Sequence, residues 1–170
     1  MSLCGAFFLG WKMEVICSWL AAQSLGAYVL LASVGVAYQA IKTNRSIAKK
    51  QATINFIQHE LNSDDILKAK AIVKKLKKTD TLLDFARKDR VDTEEFDAIV
   101  RLLSQYEFMA VGIHSGAFDF NILLQMKHGS TIDTHKTLHP FILKLRQDYN
   151  RESIFKDFER LAKSFKDADF

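Results

Sequence analysis

Hydrophobic and polar positions fall unevenly along the chain. From Val15 to Ile41 no residue is charged, and the polar exceptions within Trp19 to Tyr38 are the neutral Gln23, Ser24, Ser33 and no others of note. A helix crossing the hydrocarbon layer needs about 20 apolar residues, which this stretch supplies. A charge at its centre would cost about 3 kcal/mol on insertion scales. Trp19 and Tyr38 stand at the two ends of the run, where amphipathic rings prefer the headgroup level. The pattern predicts a transmembrane helix over residues 19–41, after a short extracytoplasmic segment over 1–18. A cleaved secretory signal ending at Gly35-Val36-Ala37 is the competing reading, but the run is long for a signal and basic residues follow it at once. A buried helix of a soluble core seldom stays uncharged for so long. Leu3 to Trp11 is apolar but too short to span, and Met13 offers an alternative start.

The flanks set the orientation. Lys42, Arg45, Lys49 and Lys50 follow the run closely, whereas Lys12 alone precedes it. Lys/Arg-rich flanks stay in the cytoplasm, so the expected topology is single-pass, with the N-terminus outside and the C-terminal domain in the cytoplasm. No Gly or Pro occurs between Val36 and Val111, so nothing stops the helix before a juxtamembrane stalk over 42–62 is complete. Gly26, Ser33, Ala40, Ile47, Ile54 and Leu61 recur every seven residues, with Val29, Val36 and Ile57 three positions on. That spacing suits a pairing seam, with small residues in the bilayer, although Thr43 and Lys50 interrupt it. It also suits a helix that packs on its own domain.

Over 63–170 the pattern reads as helix after helix, with no alternating strand segments. Ser63-Asp64-Asp65 opens a helix with Ile66, Ala69, Val73 and Leu76 on one face. A short helix is expected over Thr81–Arg87. Asp92-Thr93-Glu94-Glu95 has the polar-x-x-acid spacing of a capping box and opens a long helix ending near Ser115-Gly116. Asp119 to His128 is expected to form another, stopped by Gly129; Pro140 would begin the next. Ile154, Phe155, Phe158, Leu161 and Phe165 mark the face of a last one. The fold class is therefore all-α: a transmembrane helix, a stalk continuous with it, and a small cytoplasmic bundle.

Composition narrows the classes further. In 170 residues there are one Pro, seven Gly and 48% hydrophobic residues, which excludes collagen-like, low-complexity and disordered chains. Two Cys, at 4 and 17, form no disulfide framework and no CxxC metal site. A net charge of +4 says little about partners. All 13 Phe except Phe7 and Phe8 lie beyond residue 46, enough aromatic area to hold a small bundle.

Three constellations carry candidate chemistry. Glu107 and His114 share the face of Phe96 and Leu103, and with Asp119 they are the candidate catalytic residues. A carboxylate on an apolar face must find a partner or lose its charge. Two turns separate Glu107 from His114 by about 10 Å, too far for a direct acid–base pair, so a buried Glu held by a Lys, Arg or Tyr of another helix is the plainer reading. His135-x-x-x-His139 has the one-turn spacing of paired metal ligands. Pro140 counts against it, because the residue before proline is pushed out of helical geometry; His135 and His139 are then expected in a loop and at a helix entrance. Lys68, Lys70, Lys74, Lys75, Lys77 and Lys78 form a basic face opposite Ile66 and Val73. It suits the surface of an anionic bilayer, where each cation contributes about 1 kcal/mol, or simply water. Nucleic acid is the weaker alternative, since no aromatic stacking residues share that face. No phosphate loop, nucleophile elbow or cofactor motif is present, so no cofactor or small-molecule substrate is inferred.

One resemblance adds to this reading. The anchor, Ala48-Lys49-Lys50-Gln51-Ala52-Thr53, Tyr106-Glu107, Val111-Gly112-Ile113, Gly116, Asp119 and the closing aromatic helix resemble a family of small bacterial and prophage membrane proteins catalogued as a domain of unknown function, DUF4760. The resemblance covers roughly residues 20–165 and implies a bacterial or phage origin and a role at the inner membrane, such as superinfection exclusion or membrane-localised defence. It implies no reaction. The expected function is binding, to another membrane protein or to itself; the alternatives are a membrane-tethered enzyme using Glu107, His114 and Asp119, and a basic-helix nucleic-acid binder.

Overall fold

The computed structural model describes the backbone of residues 4–168 and the side chains of residue 30 and of 32–168 other than Lys88. The chain divides into two compact units, Met1–Ile47 and Ala48–Phe170. It is all-α: no strand occurs among the described residues. The first helix, α1, runs Cys4–Asn62, in keeping with the absence of Gly and Pro after Val36.

In the first unit, residue 30 and residues 32–47 are all exposed. These include Leu30 at 68%, Val36 at 70% and Tyr38 at 67% exposure, so these apolar residues are largely uncovered. Of the span expected over 19–41, residues 19–29 and 31 lie outside the described side chains, as does the whole segment expected over 1–18. Among the described residues no helix is long and apolar enough to cross a membrane.

The second unit is a helical bundle. The end of α1 contributes Thr53, Phe56, Ile57 and Glu60 to its interior, a spacing of three and four that puts them on one face. Helix α2, Asp64–Thr79, starts at Ser63 and buries Ile66, Ala69, Val73 and Leu76, as the periodicity predicts. Asp64 and Asp65 in its first turn and Lys77 and Lys78 in its last both complement the helix dipole. Between Asp80, which is left-handed, and Arg87, which is extended, there is room only for a tight 3-10 turn over Leu82–Ala86. A second turn follows at Lys88–Arg90. These replace the α-helix expected over 81–87, because so short a segment cannot develop a full ladder of α-type bonds.

Helix α3 spans Glu94–His114. Its cap is Thr93, whose hydroxyl accepts from Phe96 N at 3.3 Å, one residue later than the box expected at Asp92–Glu95. Helix α4 spans Phe120–Tyr149 and α5 Lys156–Asp167. α2 and α5 pack on α3, and α5 also on α4.

The division at Gly129 and Pro140 is a correction, since α4 runs through both positions without a break. Leu124, Thr131, Leu138 and Leu145 are buried every seven residues, with Lys127 and Phe141 between them. One stripe thus continues past both breakers. Burial along the whole stripe outweighs the roughly 1 kcal/mol that a helical Gly costs relative to Ala, and the one backbone bond that Pro140 removes.

At the other end of the bundle, Phe56, Phe108 and Phe118 form an aromatic group with centroids 5.0 to 5.8 Å apart. Gly112 makes this possible, because a Cβ there would overlap the Phe118 ring. Gly116, at φ +76, turns the chain after α3, a conformation that side-chain-bearing residues rarely adopt.

Candidate functional site

The three residues expected as an acid–base set do separate work. Helix α5 begins at Phe155, which has φ +53 and no capping side chain. Glu107 reaches across from α3 instead: its Oε2 accepts from Phe158 N at 2.7 Å and its Oε1 from Asp157 N at 3.3 Å. The amides left open at a helix N-terminus, together with the dipole, hold the carboxylate. Its partner is therefore a helix end and not the Lys, Arg or Tyr expected. Asp119 caps α4, its Oδ1 accepting from Asn121 N at 3.1 Å and Ile122 N at 3.3 Å. Its backbone N–H donates to Thr53 Oγ1 of α1 at 2.8 Å. His114 is exposed in the last turn of α3.

Neighbouring Tyr106 stacks on Phe158 at 5.0 Å and accepts from Thr134 Oγ1 at 3.2 Å. Tyr106, Glu107, Gly112, Gly116 and Asp119, five of the residues that carry the resemblance in this region, thus set helix ends or helix contacts.

Of the six lysines expected on a basic face of α2, five are exposed and Lys70 is not. Lys68, Lys74, Lys75, Lys77 and Lys78 are exposed. Lys70 is half-buried and donates to Glu60 Oε1 at 2.7 Å, so it is engaged within the bundle and leaves the expected surface set. Lys127 of α4 lies 2.8 Å from the same oxygen. Glu60 is 3% exposed and Lys127 7%, which makes this the most deeply buried charge cluster among the described residues. Burial pushes the Glu60 carboxyl up, but the hydrogen bonds and charges of Lys127 and Lys70 outweigh it and hold the group below the usual glutamate range. Sequence reasoning missed this cluster. Its signal was a charge at each of two stripe positions, Glu60 after Thr53, Phe56 and Ile57, and Lys127 between Leu124 and Thr131.

The histidines also need correction. His135 and His139 both lie on α4, one turn apart, with ring centroids 5.1 Å from each other. Pro140 does not turn His139 away, because the helix continues through it. Glu159 of α5 joins them: His139 Nε2 is 3.7 Å from its Oε1, and one donor atom from each of the three residues lies within 4.8 Å of the others. Arg146 Nη2 holds the other oxygen of Glu159 at 2.9 Å, while its Nε donates to Ile154 O at 2.9 Å. Burial would raise the Glu159 carboxyl, and the Arg146 hydrogen bond and charge outweigh it, keeping it below its usual range. Burial, and then the charge of His139, push His135 below the usual imidazole range, which favours the neutral ring. His135 stands edge-on to Phe158 at 5.6 Å, and its Nε2 is buried with no hydrogen-bond partner. A groove of about 460 Å³ opens beside the cluster, lined by His135 and Glu159 together with Lys136, Lys156, Arg160 and Lys163.

No curated protein and no solved structure matches the chain. A family model described as a domain of unknown function, DUF4760, matches residues 27–165, and the chain belongs to that family.

Proposed function

We propose that the protein is a single-pass inner-membrane protein whose helical domain works by binding. The observation that carries this reading is the uncovered apolar part of α1. Leu30, Val34, Val36, Tyr38 and Ile41 are all more than half exposed. They continue an uncharged run that begins at Val15 and ends at the basic residues Lys42, Arg45, Lys49 and Lys50. In water so much uncovered apolar surface is unfavourable, at about 25 cal/mol per Å²; in a bilayer it is matched to its solvent.

The exposed lysines of α2 offer a contact for anionic headgroups. Binding to a partner or to a second copy is favoured over chemistry by the employment of Glu107 and Asp119 as helix caps. Ile54 and Leu61, seven residues apart, remain exposed on α1 while Ile57 between them is buried in the bundle. They are among the positions of the seven-residue pattern left available for such a contact.

Fusions test location and orientation together. Green fluorescent protein joined after Phe170 is expected to fluoresce in sedimented membranes, and alkaline phosphatase at the same point to stay inactive. Active phosphatase would overturn the orientation, and fluorescence confined to the supernatant would overturn the anchor.

A further inference from the structure

The His135, His139 and Glu159 cluster has no part in the membrane reading and does not depend on it. We propose that these three residues form a binding site for a divalent transition-metal ion of the zinc class, with at least one further position filled from solvent.

Four observations support the site. The spacing of the histidines on one continuous helix puts both rings on one face, and α5 delivers a carboxylate to the same point. Donor atoms around a tetrahedral zinc ion with bonds of about 2.0 to 2.1 Å lie roughly 3.3 Å apart. The 3.7 Å between His139 Nε2 and Glu159 Oε1 is already close to that value, and the 4.8 Å limit for the trio closes by side-chain rotation. Arg146 binds Glu159 through Oε2, which orients the carboxylate and leaves Oε1 facing His139; ligating carboxylates are commonly held by an outer partner in this way. Finally, the partnerless buried Nε2 of His135 is an orphan of the kind that a bound ion satisfies.

Two imidazoles and one carboxylate suit zinc, cobalt or nickel better than magnesium or calcium, which prefer all-oxygen sites. Three protein ligands leave a tetrahedral ion one open position, reached from the groove that His135 and Glu159 help to line. Lys136, Lys156, Arg160 and Lys163 on that groove oppose a dication, but they are exposed and screened over about 8 Å at physiological salt. Their sign favours water or a small anion as the fourth ligand.

The full-length chain, purified in detergent without a polyhistidine tag, is titrated with Zn²⁺ by calorimetry and with Co²⁺ by visible absorption. The site predicts saturation at one ion per chain and a tetrahedral Co²⁺ band. His139→Ala and Glu159→Gln each weaken Zn²⁺ binding by at least about tenfold, with helical circular dichroism retained. His114→Ala, on the exposed end of α3, leaves affinity unchanged. His139 is half-exposed, so its replacement spares the His135–Phe158 contact. Absence of saturable Zn²⁺ binding, or binding that survives both variants, would overturn the site.

Discussion

Glu60 is the residue on which the interior of the bundle depends most sharply. It accepts from Lys70 and lies beside Lys127 with almost no access to water, so its loss would leave Lys127 buried and uncompensated, while the more exposed Lys70 would fall back on solvent. Removing one member of a buried ion pair costs about 3 to 5 kcal/mol. Glu60→Gln is therefore expected to destabilise the fold by about 3 kcal/mol, read from chemical denaturation at pH 7. The same group predicts a pH dependence. Its folded-state pKa lies below the unfolded value of about 4.3. Its contribution is present above that value and is lost as the pH falls through the folded one. The difference in melting temperature between wild type and Glu60→Gln should narrow as the pH is lowered from 7 to 3; a constant difference would refute the assignment. The cluster was hard to read in the sequence because its partners sit ten and 67 positions away, and lysine spacing on α2 could not tell Lys70 from its solvated neighbours.

At the scale of elements, the apolar stripes were legible and the punctuation was not. Ile66, Ala69, Val73 and Leu76 announced α2, and Thr93 with its acidic neighbours announced α3 to within a residue. Gly129 as a stop and Pro140 as a start do not hold, because breaker propensity is local, whereas the stripe from Leu124 to Leu145 is held by the whole bundle. A Cβ at Gly129 would meet nothing within 4 Å, and the position is exposed. Gly129→Ala is thus expected to stabilise the protein by about 0.5 to 1 kcal/mol, seen as a raised denaturation midpoint. A loss of stability would show that α4 is broken at this point. Glu107 gives the converse case, a cap supplied by another helix that no local motif reveals. Glu107→Ala should cost about 1 to 2 kcal/mol and speed amide exchange in the first turn of α5. Unchanged exchange at Asp157 and Phe158 would contradict the capping role.

For the molecule as a whole, helical class and family membership were both within reach of the sequence, the first from periodicity and the second from short motifs around Tyr106, Gly112 and Asp119. The meeting of His135 and His139 with Glu159 was not, since it requires α4 to continue through Pro140 and α5 to return alongside it. The proposed function rests mainly on one physical contrast. The Ala48–Phe170 unit buries a core of large apolar side chains and leaves others, such as Leu61 and Phe108, exposed, whereas every described apolar residue of α1 up to Ile47 is exposed. The proposed account gives that surface to lipid. Its most direct test is alkaline carbonate extraction of membranes from cells expressing the full-length chain. The account predicts that the protein stays in the sedimented membranes and is released only by detergent. Recovery of the intact chain in the carbonate supernatant would contradict it.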